Sequence, residues 1–282
     1  MKKSFLRHIP RLVTLLLLIS LLIWPLTAEA ASLTPGSTNF FADVSGQAYA
    51  GYLKSSDPGV IASVGPLFPV GLGCATSDRT ALATAGSFQI DSLTTGGALV
   101  DKVTSTFTPT SAAIQSQSTI QGLNALGGAI SATSVQATAS SSGDKSGATS
   151  SGSVTLTNLI VGGQAIGAHP APNTKIFLPG IGTVTLNAQS REKDDATTAI
   201  SVEAIRVDIS VAGNAFGLPV GSKLIIAAAS TSLQTLASAH TVGARSFALE
   251  GTGLAGPGKG QSGPWALAAI GCGGGYDKTT LT

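Results

Sequence analysis

Apolar residues in this chain recur at every second position, and glycine, β-branched residues, serine and threonine interrupt each stretch in which a helical stripe would form. Strands are therefore the expected element. Ile205-Arg206-Val207-Asp208-Ile209 alternates strictly, which predicts Ile205, Val207 and Ile209 on a core and Arg206 and Asp208 in water. From Pro172 to Asn187, Pro179-Gly180 and Ile181-Gly182 separate two short alternating runs in the order that specifies a hairpin. Val154, Leu156, Leu159 and Val161 form another apolar edge. It ends at Gly162-Gly163, a second hairpin turn, and Gln164-Ala165-Ile166 returns from it. Ser222 to Thr235, with Leu224, Ile225 and Ile226, reads as a late buried strand. Weaker strands are expected over Gln47 to Tyr52, Val60 to Val64, Ser87 to Ile90 and Ala98 to Phe107.

Ile130 to Ser140 and Ile200 to Ser210 share an apolar spacing whose phase slips by one residue near the middle. A β-bulge produces such a slip, since one extra residue reverses the face of every side chain after it. The likeness predicts two long bulged strands at equivalent places in two sheets. The Ser/Gly stretch Ser140 to Gly152 and the charged run Arg191 to Asp195 read as solvated hairpin tips. The expected fold is all-β, with mostly antiparallel stacked sheets in a sandwich-like arrangement. A β-solenoid is the alternative.

Lys2, Lys3, Arg7 and Arg11 precede an apolar run from Leu12 to Ile23, and Ala28-Glu29-Ala30 follows. That order predicts a secretory signal peptide over residues 1–30, cleaved between Ala30 and Ala31. The remainder, 31–282, is expected to be one secreted β-rich domain without a transmembrane segment. Of the 16 basic and 14 acidic residues, it keeps 12 and 13, a formal charge of −1. With no basic run, the chain has nothing to compete for phosphate backbones or anionic lipid, so nucleic acid is not an expected partner. Charged residues make up only 11% of the chain, but the hydrophobic fraction of 43% supplies a core that disordered chains lack. Cys74 and Cys272 are the only two cysteines. In an oxidising compartment they are expected to form one disulfide tying the first strands to the last.

No motif specifies a reaction. Gly251, Gly253 and Gly256 spell G-x-G-x-x-G, but Pro257-Gly258-Lys259-Gly260 follows, so no helix start is available for a pyrophosphate. Ser142-Gly143-Asp144-Lys145 matches S-x-x-K without its companion motifs. His169 and His240 are the only candidate histidine bases after the leader. Glu192, Asp194 and Asp195 suit a hard cation, but the interleaved Arg191 and Lys193 favour a solvated charge run. Trp265 and Tyr276 offer a sugar-stacking surface or, for Trp265, a core plug beside Cys272. No catalytic, cofactor or metal residues are assigned.

Asn173 to Asn187 and Ile200 to Val207 resemble the central and later motifs of the bacterial choice-of-anchor P family, within a region of likeness from about Gln47 to Ala239. The resemblance implies an exported protein whose shared domain precedes differing surface anchors, with no activity assigned to that domain. Arg206 stands where a histidine is expected in many relatives, and no sortase-type or hydrophobic anchor follows. The expected function is a non-enzymatic exported protein of the cell envelope or extracellular space, in contact with envelope or surface components. A secreted hydrolase and a glycan- or surface-binding module are the alternatives.

Overall fold

A computed structural model of the chain describes residues 40–236 and three short strands beyond them. The leader with Ala30 and Ala31, His240, the glycine motif at 251–256, Lys259, Trp265 and Cys272 lie outside the described residues.

In chain order the strands begin with β1 (Phe41–Lys54), β2 (Val64–Leu67), β3 (Val70–Ala75), β4 (Arg79–Ala85), β5 (Phe88–Ile90) and β6 (Thr94–Gly96). There follow β7 (Leu99–Thr108), β8 (Ser111–Ala125), β9 (Ile130–Asp144), β10 (Gly147–Thr157), β11 (Leu159–Val161) and β12 (Gln164–Ile166). The series ends with β13 (Thr174–Leu178), β14 (Gly182–Lys193), β15 (Thr197–Ile209), β16 (Lys223–Leu236), β17 (Arg245–Phe247), β18 (Leu267–Ile270) and β19 (Tyr276–Lys278).

The first sheet runs β13-β14-β15-β16-β1-β2, with β3 also on β1. The second runs β12-β11-β9-β8-β6-β5, with β10 on β9, β7 on β8 and β4 on β7. A separate three-stranded sheet orders as β17-β18-β19. The ladders are antiparallel, and β1 pairs along its length with β16. The two large sheets pack face to face, so the architecture is the sandwich, not the solenoid. Among the described residues, no helix is long and apolar enough to cross a membrane.

The expected hairpins are present. Leu178 pairs with Gly182 across Pro179-Gly180-Ile181, and Val161 pairs with Gln164 across Gly162 and Gly163. Both of those glycines have positive φ, 56° and 80°, as a two-residue hairpin turn requires. Ile205, Val207 and Ile209 are buried while Arg206 and Asp208 are half-exposed. Val60 to Val64 is a turn that only reaches strand at Val64.

The expected bulge takes a different form. Tyr49 pairs with Ala228 and Gly51 with Ile226, so one residue on each strand, Ala50 and Ala227, is passed over without any change of register. The same happens at Ala204 against Ala227 and at Asn187 against Ala204. Four adjacent strands thus reverse their inward and outward faces at one row. The second sheet repeats this, with Gly122 and Thr133 passed over between β8 and β9 and Asn158 standing between β10 and β11. Positive φ falls on alternate strands: Asn187 (50°) and Ala227 (52°) in the first sheet, Gly122 (64°) and Asn158 (52°) in the second. A true bulge places two residues opposite one; here the partners slip together and the ladder is kept. The equivalence of β9 and β15 does hold, since both are long interior strands of their sheets.

The Ser/Gly stretch is not a hairpin tip. Ser140 to Asp144 and Gly147 to Gly152 are paired strand, and only Lys145 and Ser146 turn. Small residues are needed there because the sheets come close: a Cβ on Gly152 would collide with Val202 and lie 2.8 Å from Ile200. Arg191 to Lys193 also belong to a strand, leaving Asp194 to Ala196 as the turn.

One core gathers around Leu53, Ile90, Leu99, Ile130 and Ile205, and a second around Val44, Val103, Ile114 and Leu233. Hydroxyls also join the sheets. Ser116 donates to the Ser230 carbonyl (2.8 Å), Ser118 donates to the Tyr49 carbonyl (3.1 Å), and the Ser141 and Thr231 hydroxyls bond at 2.9 Å. The edge at β10 is closed by two side chains and a backbone hydrogen bond. Arg191 donates to Ser150 O (2.7 Å), Gln189 donates to Gly152 O (3.0 Å), and the Leu156 amide donates to Ala168 O (2.8 Å). Blocking an edge in this way removes a template for pairing with other chains.

Candidate functional site

The slip row decides what the outer face of the first sheet presents. Tyr49 and Tyr52 are three residues apart on β1, a spacing that puts them on opposite faces of a regular strand. With the phase reversed between them, both face outward. Glu203 and Arg206 share the outer face of β15 for the same reason. The register aligns Tyr52, Ile225, Arg206 and Thr185 in one row, and Tyr49, Ala228, Glu203 and Ala188 in the next.

The charged side chains on this face form a network. Arg206 Nη1 lies 3.4 Å from Glu203 Oε2, Arg206 Nε lies 3.1 Å from Asp208 Oδ2, and Lys223 Nζ lies 3.9 Å from Asp208 Oδ1. These pairs are partly solvated, so they orient the face more than they stabilise the fold. Burial raises the Glu203 carboxyl above the usual range despite Arg206 beside it. Tyr49 is also raised, first by burial and then by the nearby Glu203 and Tyr52. Phe177, 69% exposed, extends the surface along β13.

Beyond Tyr49 and Glu203, this face opens into a cavity of about 280 Å³ lined by Ser45, Gln47, Ala199, Ser201, Ser230 and Ser232. The outward residues of β16 form its floor, and those of β1 and β15 flank it. Asp43 lies two residues from Ser45 on the same face of β1, paired with Gln234. It is 1% exposed, and neither carboxyl oxygen has a hydrogen-bond partner among the described residues. Burial pushes it up to about 6.

A second buried carboxyl, Asp101, lies on the inner face of β7 between Ala83 and Ser118. Among the described residues its oxygens also have no hydrogen-bond partner, and the Ser118 hydroxyl donates to Tyr49 O. Burial pushes Asp101 up to about 7, with Ser118 acting in the opposite direction.

The residues singled out from sequence are not brought together. His169 sits in the loop before β13, with Nδ1 3.4 Å from Val154 O. In the S-x-x-K match, Asp144 accepts from the Ser146 hydroxyl and then its amide across the β9–β10 turn, which holds its pKa below the usual carboxylate range. Asp194 accepts from the Ala196 and Thr197 amides and is lowered for the same reason. Among the described residues, no group of three acidic, histidine or cysteine side chains is placed to hold a metal ion. Cys74 lies where β3 bulges opposite Ser45, between the pairs Gly46–Leu72 and Val44–Ala75. Sequence reasoning missed the aromatic and charged face, the serine-floored cavity and both buried aspartates. Asp43 and Asp101 are visible in the sequence as charges within apolar runs. The pairing of Tyr49 with Tyr52 is not, because Ala48, Ala50 and Gly51 mark the phase of β1 too weakly.

No protein family, curated protein or solved structure matches the chain.

Proposed function

We propose that this chain is a non-enzymatic exported protein of the bacterial cell envelope or extracellular space, acting through contacts of its surface with envelope components. The observation that carries the reading is the outer face of the first sheet. There the shared slip row turns Tyr49, Tyr52, Glu203 and Arg206 outward together on strands held in register. Aromatic side chains and arginine are the residue types that dominate recognition surfaces. The leader pattern at 2–30 and the likeness of 173–207 to the choice-of-anchor P motifs support the exported location.

The same reading makes Cys74 and Cys272 one disulfide, formed after export. Fractionating the producing cells tests the location. The protein is expected in the envelope or medium fraction with Ala31 as its first residue, and a non-reduced digest is expected to contain the Cys74–Cys272 linked peptide. Sedimentation with isolated envelopes is expected to weaken when Tyr52 and Arg206 are both replaced by alanine. A cytoplasmic protein beginning at Met1, or sedimentation indifferent to those replacements, overturns the proposal.

A further inference from the structure

Among the described residues, β4 pairs only with β7, and none of the backbone hydrogen bonds outside the ladders involves Thr80 to Ala85. The far side of β4 therefore presents a row of unpaired amides and carbonyls, the feature that accepts another strand. Other edges carry a guard against such pairing. Gln189 and Arg191 cap carbonyls of β10, the ladder of β3 on β1 shifts register, β2 contains Pro66, β5 and β12 have three residues each, and β13 carries the exposed Lys175. By contrast, β4 holds seven residues in unbroken register, with one charge, Arg79, at its end. Its outward face is also apolar. Leu82 is 60% exposed and Val100, its diagonal neighbour on β7, is 42% exposed.

The sequence of β4 selects its partner. Thr80-Ala81-Leu82-Ala83-Thr84 reads the same in both directions. Antiparallel pairing of two copies about a two-fold axis at Leu82 sets Leu82 on Leu82, Ala81 on Ala83 and Thr80 on Thr84, and Arg79 meets Ala85 rather than a like charge. We propose that two copies of this chain join through β4, making the second sheet continuous from β10 of one copy to β10 of the other. The two Leu82 side chains then cover each other, with Val100 of each copy alongside. Lys102, opposite Leu82 on β7, is separated from its counterpart by three strand spacings, about 14 Å, beyond the screening length at physiological salt. The assembly stops at two copies. A two-fold contact uses the β4 edge of both, and the edge left at each end is β10, which Gln189 and Arg191 already block. An unrelated extended peptide satisfies the same backbone groups but gains nothing from the palindrome.

The test is sedimentation velocity of the purified full chain over a range of concentrations, with mild oxidation of cysteine variants to fix the register. The natural chain is expected to form a concentration-dependent dimer and nothing larger. Leu82→Lys, which places a charge at the two-fold axis, is expected to weaken the dimer at least tenfold with an unchanged circular dichroism spectrum. Leu82→Cys is expected to cross-link two copies through position 82. Directly opposed residues of an antiparallel pair lie about 4.5–5.5 Å apart between Cα atoms, within the span of roughly 4.4–6.8 Å that a disulfide bridges. Thr84→Cys, whose counterpart falls four residues along the partner strand at about 13 Å, is expected to cross-link no more than the natural chain. A chain that stays monomeric at every concentration overturns the inference, and protected β4 amides in that monomer would show that a segment of the same chain covers the edge. A dimer that survives Leu82→Lys, or that cross-links equally well through both cysteine variants, overturns it too. The surface-contact reading does not depend on any of these outcomes.

Discussion

At the scale of single residues, close approach between the sheets leaves little freedom at a few positions. Gly152 is the clearest. It is a strand glycine with no side chain to contribute, yet an added methyl would run into Val202 and Ile200 of the facing sheet. Overpacking a core in this way costs roughly 1–3 kcal/mol. Gly152→Ala is therefore expected to lower the unfolding free energy by that amount, read as a lower urea midpoint at an unchanged denaturant slope. Gly86→Ala serves as the control, because nothing lies within 4 Å of its added Cβ, and it is expected to be neutral. Equal effects from the two substitutions would contradict the packing described for β10 and β15. From the sequence, Gly152 looks like part of a flexible Ser/Gly tip. The reason it is not flexible lies on β15, about fifty residues further along the chain, and no local pattern can report it.

At the scale of elements, the matched slip rows determine which residues share a face, and at Gly122, Asn158 and Asn187 they are held by residue types that accept positive φ. Gly122 at φ 64° has only the Gly97 amide nitrogen, at an ordinary contact distance of 3.8 Å, near its would-be Cβ, so backbone conformation is the main limit on what can stand there. Gly122→Val is expected to destabilise by about 1–2 kcal/mol, and Gly122→Asn by much less, because asparagine tolerates the left-handed region. Comparable losses for both would show that the row is not held by backbone preference. The β10 edge gives a second expectation at this scale. Replacing Gln189 and Arg191 together by alanine removes the donors to Gly152 O and Ser150 O, and faster amide exchange in β10 with more aggregation on warming is expected. The strands, their alternation and the hairpin glycines were legible because period two and positive-φ turns are local signals. On β15 the slip was visible, since strong markers such as Ile200, Val202, Ile205 and Val207 bracket it. On β1 it was hidden among alanine and glycine, and the site built on it was hidden too. That the partners slip in concert is a property of the ladder, which no single strand encodes.

At the scale of the whole molecule, the buried acids set a pH dependence of stability opposite to that of most proteins. Asp43 and Asp101 are raised from the ordinary aspartate value to about 6 and about 7 by burial. Each then binds its proton more tightly in the folded chain than in the unfolded one. Their contribution is therefore fully present below about pH 4 and is lost as pH rises through 6 and 7. For Asp101 alone, about three pH units correspond to roughly 4 kcal/mol. Glu203, raised in the same direction, adds to the loss. Asp144 and Asp194 act oppositely: their lowered values favour the folded state above the ordinary carboxylate range, and that support disappears as pH falls. The two sets together place maximal stability near pH 4–5, with a decline toward pH 8. Urea unfolding across that range measures it directly. Asp101→Asn is expected to flatten most of the decline, because the amide keeps the shape of the side chain without a proton to lose. Stability that climbs steadily from pH 4 to pH 8 would mean that these carboxyls are solvated or paired in the folded protein.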